Sequence, residues 1–346
     1  MFIYKECVLE KLIIHKTGNK QSGVMPVLSK KEITINDPDI IEILTPFFLK
    51  PFKTGEIFMF DNKEHIPVKE SVTAIFEDVS NFEKASIEIA KTLYDASEHH
   101  NIKTGELYIT YFSNLVIDEE LVDAVGIFKT ENKDTFIKVY IDNDNVQVNH
   151  DQGININKLD KGCLIFNTEA DLGYKIYLVD NTNRGNDARY WGEEFLKVCP
   201  RPDNFYQTKT ILSLCKDFSG QVLTPENNID KTEQVNFVSK VAEYFTSNNV
   251  FDEITFEEKV LSETPEIGQA FKKFKKDYEE VMEIEPLTQF EIADQAVKKN
   301  NKYMKSVIKL DKNFHIYVHS KPEFIEKGFD ETKGLKYYKL YFEEEN

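Results

Sequence analysis

The chain has 346 residues, a mass of 40.3 kDa and a formal charge of −17 at pH 7. Because affinity for DNA comes mostly from neutralising phosphates, this acidity argues against nucleic-acid binding over the whole surface, but it leaves room for a local basic patch. The hydrophobic content of 41% and charged content of 30% are typical of a soluble globular protein and exclude wholesale disorder.

The cysteines and the apolar runs indicate where the protein resides. Cys7, Cys163, Cys199 and Cys215 are widely spaced, which excludes a CxxC zinc motif and a disulfide framework. No apolar run approaches the roughly 18 residues of a membrane-spanning helix. The first 16 residues contain lysines and acidic side chains where a signal peptide needs an uninterrupted apolar core. We therefore expect a cytoplasmic protein without membrane contact.

The first 180 residues are typical of an α+β domain in which strands prevail. Helical signals occur twice, from Pro38 to about Phe48 and between Asn81 and His100. Strands rich in β-branched and aromatic residues are predicted over 2–9, 56–60, 106–117, 124–129, 136–140, 162–166 and 174–179. Several follow one another at hairpin spacing, which favours an antiparallel sheet.

The pattern changes to helices after a polar segment near Asp180, so we predict one domain over 1–180 and a second over 181–346. Amphipathic periodicity predicts helices over 189–198, 205–220, 231–247, 254–280 and 288–304. Strands over 306–311, 314–320 and 335–342 are predicted to close the second domain as a small antiparallel sheet, the first two joined at Asp311-Lys312-Asn313.

Motifs for catalysis or cofactor binding are absent from the sequence. It contains no GxxxxGK[ST] phosphate loop, no GxGxxG turn, no HExxH and no GxSxG. Asp142-x-Asp144 begins like a calcium loop, but later positions lack the required oxygen ligand and glycine. Asp123 and Lys129 flank a strand as in metal-dependent nucleases, but no Glu-x-Lys element accompanies them. We predict a non-enzymatic protein that needs no cofactor and no metal.

Three basic groups stand out against the acidic background. They are Arg184 and Arg189 before Trp191, Lys272 and Lys275 within residues 271–278, and Lys298, Lys302 and Lys305 on one face of the helix predicted at 288–304. We predict that these side chains contact DNA phosphates without reading the bases, since lysine acts as a point charge.

Each basic group also has a structural interpretation. Phe271, Phe274 and Tyr278 recur at helical spacing, so the lysines between them are also consistent with the solvated face of a helix whose aromatic stripe is buried. Trp191 and its aromatic neighbours favour core packing over a platform on which bases stack.

The segment 173–220, GYKIYLVDNTNRGNDARYWGEEFLKVCPRPDNFYQTKTILSLCKDFSG, resembles the signature region of bacterial nucleoid-associated proteins of the NdpA/YejK type. It combines a strand, a polar loop, an aromatic helix ending in Phe-Leu, a break and a helix bearing Thr-Lys. Residues 106–140 and 306–342 are also similar to that family, so the resemblance extends over nearly the whole chain.

The resemblance implies a non-catalytic protein of the cytoplasm and nucleoid that binds double-stranded DNA and, in some relatives, contacts type II topoisomerases. The acidic charge supports an alternative, an adaptor that reaches the nucleoid through a protein partner such as a topoisomerase. If DNA is bound directly, so limited a patch predicts weak binding unless a homodimer pairs two patches.

Overall fold

The computed structural model describes residues 2–52, 55–61, 65–182, 190–227, 229–262, 264–300, 306–318 and 324–344. The chain divides into two compact units, Met1–Arg201 and Pro202–Asn346. The α+β class and the strand-rich character of the N-terminal part are confirmed. None of the helices in these ranges combines the length and hydropathy that crossing a lipid bilayer requires.

The first unit is built on an eight-stranded antiparallel sheet. Its strands are β1 (Phe2–Ile3), β2 (Val8–Lys16), β3 (Phe58–Phe60), β4 (Glu106–Ile117), β5 (Glu120–Thr130), β8 (Lys161–Phe166), β9 (Lys175–Asp180) and β10 (Val198–Pro200). Their order is β1-β4-β5-β8-β9-β3-β10, and β2 also pairs with β4. The remaining strands, β6 (Asp134–Asp142) and β7 (Asn145–Gly153), form a hairpin of their own.

Helices cover both faces of this sheet. They are α1 (Pro38–Leu49), α2 (Pro67–Glu77) and α3 (Phe82–Ala96). Because successive strand residues point to opposite faces, Phe128 of β5 stacks on Phe48 of α1 with ring centroids 4.5 Å apart, whereas Ile127 packs in the core that contains Ile89 of α3. The near-continuous burial of β4, β5 and β8 follows from this double cover.

The second unit is a group of helices followed by two hairpins. Its elements are α4 (Asn204–Gln221), α5 (Lys231–Ser247), β11 (Val250–Asp252), α6 (Glu253–Phe256), α7 (Pro265–Val281), β12 (Gln289–Glu291), α8 (Asp294–Asn300), β13 (Ser306–Leu310), β14 (Phe314–Val318), β15 (Ile325–Asp330) and β16 (Leu335–Leu340). Rings such as Phe218, Phe237 and Phe271 fill the core between the helices. A smaller core under the hairpins contains Val235, Ile308 and Val318.

Several elements differ from the sequence prediction. The helix expected over 254–280 is interrupted: a π-helical segment, Glu257–Leu261, follows α6, and α7 begins at Pro265, which cannot continue a preceding helix. The start of the helix expected at 288 is wrong, because residues 289–291 form β12 and pair with β11. The predicted closing sheet is two separate hairpins, β13–β14 and β15–β16.

The boundary between the two units lies beyond the predicted position. Residues 190–201 belong to the first unit rather than the second, because β10 pairs with β3 and the indole of Trp191 is fully buried in the first unit's core. The burial of apolar side chains holds residues 190–201 in the first unit. The polar composition near Asp180, on which the prediction depended, gives no indication of this burial. That the two units fold independently stays a prediction.

Candidate nucleic-acid interface

The aromatic stripe of α7 is part of the core. The ring centroids of Phe271 and Phe274 lie 5.2 and 5.5 Å from that of Phe218 in α4. Tyr278 packs beside Phe274 with centroids 6.4 Å apart. The structural interpretation of the stripe therefore holds, and the lysines of α7 are distributed around a helix that is anchored on its aromatic side.

Lys275 lies close to the core side of α7, and its side chain is only 7% exposed. Its ammonium group lies 3.0 Å from a carboxylate oxygen of Glu253 and 2.9 Å from one of Glu279. Burial by itself lowers the pKa of Lys275, but hydrogen bonds to Glu279 and Glu253 outweigh it and raise the pKa above its ordinary value. This ammonium group is thus committed to two carboxylates within the protein.

Lys272 occupies the exposed side of α7 but also has an acidic partner. Its ammonium group lies 2.7 Å from Glu257, and its side chain is 61% exposed. Lys276, one turn further along, lies 3.9 Å from Glu280. Local carboxylates therefore offset much of the positive charge on α7, and a phosphate approaching Lys272 would compete with Glu257.

The lysines of α8 are more accessible. Lys298 is exposed at the C-terminal end of this helix, and Lys299 is exposed beside it with its ammonium group 5.2 Å from the ring centroid of Phe205. The predicted lysine stripe continues into Lys302 and Lys305, which lie outside the described residues. Of that stripe, the structure thus places Lys298 on the surface.

A basic stretch that the sequence analysis missed begins at this point. Residues 298–339 contain eleven lysines and five acidic residues, a net charge of +6 within a chain of −17. Lys312 lies in the turn between β13 and β14, and Lys336 of β16 is exposed directly opposite Phe329 of β15. The lysines are distributed over about forty residues of sequence, so only a charge count over a window of that length reveals the excess.

Exposed aromatic rings accompany the lysines of this stretch. Phe314 and Tyr317 of β14 are 64% and 60% exposed, and Phe329 of β15 is 58% exposed. Rings beside cationic side chains are a common combination in nucleic-acid-binding surfaces. We call the exposed side chains of residues 298–339 the C-terminal basic surface.

The residues on either side of 183–189, a segment outside the described residues, take part in buried polar contacts. The buried ammonium group of Lys161 donates to Asp180 and to Thr182, each at 2.7 Å, just before this segment. Tyr190, just after it, accepts a hydrogen bond from Lys129 at 3.0 Å. Arg184 and Arg189 themselves lie outside the described residues.

The side chains of this anchoring network are almost completely buried. Lys129 and Lys161 are both 0% exposed, and their ammonium groups lie 5.5 and 5.2 Å from the ring centroid of Tyr190. Glu131 accepts from Lys129 at 2.7 Å and from Tyr190 at 3.1 Å. Burial lowers the pKa of Lys129 although Glu131 favours its charged form, and burial raises the pKa of Tyr190.

The pair considered for a nuclease is not brought together. Asp123 accepts a hydrogen bond from Tyr111 at 2.7 Å, whereas Lys129 belongs to the anchoring network. The two residues lie six positions apart on β5, about 20 Å along an extended strand. Within the described ranges no three His, Cys, Asp or Glu side chains are grouped as metal ligands would be.

These features define a class of protein, an α+β chain whose second unit carries a basic surface on an otherwise acidic molecule. The sequence profile of one family, described as nucleoid-associated protein YejK, matches residues 13–332. The chain belongs to this family, as the resemblance in the sequence predicted. A comparison with curated proteins finds no match.

Proposed function

We propose that this protein is a non-catalytic nucleoid component that binds double-stranded DNA through the C-terminal basic surface. The observation that carries the proposal is the net charge of +6 over residues 298–339 in a chain of −17. Membership of a nucleoid-associated family supports a role at the chromosome. A basic region of this size supplies the sequence-independent, phosphate-directed part of DNA affinity.

Lys298, Lys302 and Lys305 are the central contacts of this proposal, with Lys312 and Lys336 extending them. Lysine contacts a phosphate as a point charge, so little sequence preference is expected. Lys272 contributes less because Glu257 already pairs with it, and Lys275 is left out because two carboxylates engage it. Arg184 and Arg189 form a second basic group, which we also propose to contact DNA phosphates.

The charge distribution limits how tightly DNA is held. The first unit has 23 basic and 33 acidic residues, a net charge of −10, and would repel DNA that extends beyond the basic surface. With about three to five phosphates engaged, the logarithm of the association constant falls with the logarithm of salt concentration at a slope of roughly −3 to −4.

The test is DNA affinity across a salt series for the full-length chain. The variant Lys298→Glu/Lys302→Glu/Lys305→Glu is expected to abolish binding. The control Lys30→Glu/Lys31→Glu/Lys84→Glu changes the net charge equally, and its three side chains are exposed in the first unit. If the two variants weaken binding equally, only net charge matters and the proposed surface is wrong.

The second candidate is an adaptor that reaches the nucleoid through a protein, such as a type II topoisomerase. The charge of −10 on the first unit favours it, because an acidic surface suits a partner that is itself basic and binds DNA. Affinity capture with nuclease treatment separates the two candidates. An adaptor retains its partner after the DNA is destroyed, and the wild-type chain alone then fails to bind DNA at low salt.

A further inference from the structure

The hairpin β6–β7 is a two-stranded ribbon outside the main sheet. Its register runs from Asp134 opposite Gly153 to Asp142 opposite Asn145. The two turn residues, Asn143 and Asp144, have φ values of 45° and 62°, the left-handed conformation that a two-residue hairpin loop requires. The pairing and the direction of each side chain are therefore well defined.

The two faces of this hairpin differ sharply. Because side chains alternate, one face carries five aliphatic residues: Ile137, Val139, Ile141, Val146 and Val148. Each is between 66% and 79% exposed. Val139 lies directly opposite Val148, and Ile141 opposite Val146, so the five form one continuous patch. We call it the aliphatic face.

The opposite face carries the charged side chains of the hairpin together with the rings of Phe136 and Tyr140. The ammonium group of Lys138 lies 2.8 Å from the carboxylate of Asp151 and 5.4 Å from the ring centroid of Phe136. Asp134 accepts a hydrogen bond from Asn155 at 2.7 Å. The aspartates and the lysine of the two strands lie on this face, whereas His150 lies on the aliphatic face opposite Ile137. Covering the aliphatic face therefore buries no carboxylate and no ammonium group.

A hairpin with this pattern needs a cover. An isolated two-stranded ribbon is marginally stable in water, and an alternating pattern places its apolar side against another apolar layer. No such layer covers the aliphatic face among the residues that the structure describes, where its side chains are exposed. Monomeric proteins seldom expose a contiguous aliphatic patch of this kind without an interaction partner.

We propose that the aliphatic face of β6–β7 is a homodimer interface, covered by the same face of a second copy of this chain. A two-fold axis lying in the contact plane sets the patch against itself, so aliphatic side chains meet aliphatic side chains and the polar faces remain in water. A specific interface buries at least about 1,000 Å² in total, so each copy has to contribute about 500 Å² centred on the five aliphatic residues. The proposal does not depend on DNA binding.

The charge pattern favours a second copy over nucleic acid as the occupant. The aliphatic face carries no lysine or arginine to contact a phosphate, whereas a copy of the same face matches it in shape and polarity. Two copies of this chain, each with a charge of −17, repel each other. A small contact without carboxylates keeps that repulsion lower than a large acidic interface would.

The test is the molar mass of the full-length protein in solution. At roughly 0.3 M salt, which screens the net charge, light scattering is expected to give twice 40.3 kDa for the wild type. Val139→Asp places a charge in the centre of the aliphatic face and should weaken dimerisation at least 100-fold. Gln147→Asp adds the same charge on the polar face and should leave the dimer intact. Because both side chains are exposed, neither variant should unfold the chain.

Two outcomes overturn the proposal. One is a wild type that stays at a single-chain mass up to ~100 μM. The other is a dimer that Val139→Asp and Gln147→Asp affect equally, since the interface would then lie elsewhere. As an independent measurement, amide exchange over 134–153 should slow as the concentration of wild type rises, and should not change with the concentration of Val139→Asp.

Discussion

Two lysines of the first unit and two of the second unit occupy opposite environments. Lys129 and Lys161 are fully buried and contact carboxylates, a backbone carbonyl and Tyr190. Lys298 and Lys299 of α8 are exposed to solvent. A buried ammonium group depends on its internal partners, whereas an exposed one is available to a phosphate. In an acidic protein, the position of a lysine therefore decides its role more than its presence does.

Lys275 shows that this distinction holds within a single helix. On α7 it is buried between Glu253 and Glu279, while Lys273, two residues away, is exposed. Glu279 in turn accepts a hydrogen bond from the backbone of Leu287, so the pair also fixes the chain that follows α7. Stability and DNA binding should therefore respond to different lysines.

The largest effect is expected from Lys129→Met. The variant leaves the carboxylate of Glu131, only 5% exposed, without its cation, which should lower the free energy of unfolding by about 3–5 kcal/mol. Chemical denaturation of the full-length chain measures the change. Lys84→Met, at an exposed position of α3, is the matched control and should cost less than about 0.5 kcal/mol.

The double variant Lys129→Met/Glu131→Leu sharpens this result, because removing both charges should recover part of the loss. If Lys129→Met alone lowers the free energy of unfolding by less than about 1 kcal/mol, water reaches the Lys129–Glu131 pair and the pair behaves like an exposed ion pair.

The second prediction concerns the buried imidazole of His15, which burial disfavours in its protonated form. Burial lowers the pKa of His15 to about 4; its Nδ1 accepts from the backbone of Ser29, and within the described ranges its Nε2 has no hydrogen-bond partner. Between pH 6.5 and about 4 the unfolded chain binds more protons at this residue than the folded chain does. Stability should therefore fall as the pH falls through this window, by up to about 3 kcal/mol from this group.

Unfolding curves across this window for the wild type and His15→Gln test the sign. The carboxylates titrate in both proteins and cancel in the difference, so the wild type should lose stability faster on acidification. Equal slopes would mean that folding does not lower the pKa of His15, and a steeper slope for the variant would reverse the predicted sign.

The smallest effect is expected from Lys298→Gln. Measuring it beside Lys275→Gln compares an exposed lysine with a buried one directly. Lys298→Gln should weaken DNA binding a few-fold and reduce the magnitude of the salt slope by about 1, because one phosphate contact is lost. Its unfolding free energy should stay within about 0.5 kcal/mol of the wild type. Lys275→Gln should do the opposite, lowering stability by about 2–3 kcal/mol without changing the salt slope. If Lys275→Gln alone changes the slope, the comparison fails.

Local pattern was sufficient for much of the fold. The long strands β4 and β5 and the helices α3, α4 and α5 follow from residues 106–130, 81–100, 205–220 and 231–247, where the period of apolar side chains is unambiguous. The turn at Asp311-Lys312-Asn313 is confirmed by the pairing of β13 with β14. The short β12 was read as helix, because three residues carry too little periodicity to identify a strand that β11 completes.

The residues of the candidate DNA-binding surface could likewise be identified only in part from the sequence. The sequence identified Lys298 as an accessible cation, but it gave Lys275 the same role, since spacing along a helix does not show which turn faces Glu253. The net charge of 298–339 can be counted from the sequence, but no short motif marks it because its lysines are distributed over about forty residues.

By itself the sequence determined the α+β class, most of the long elements, the family and the acidic charge, because each depends on composition or on short-range periodicity. Only the tertiary structure decided that Trp191 and β10 belong to the first unit, that Lys129 and Lys161 are buried around Tyr190, and that the aliphatic face of β6–β7 is left uncovered. Burial depends on which distant segments pack together, and the free energy of a charged or apolar side chain follows from that packing rather than from its neighbours in the chain.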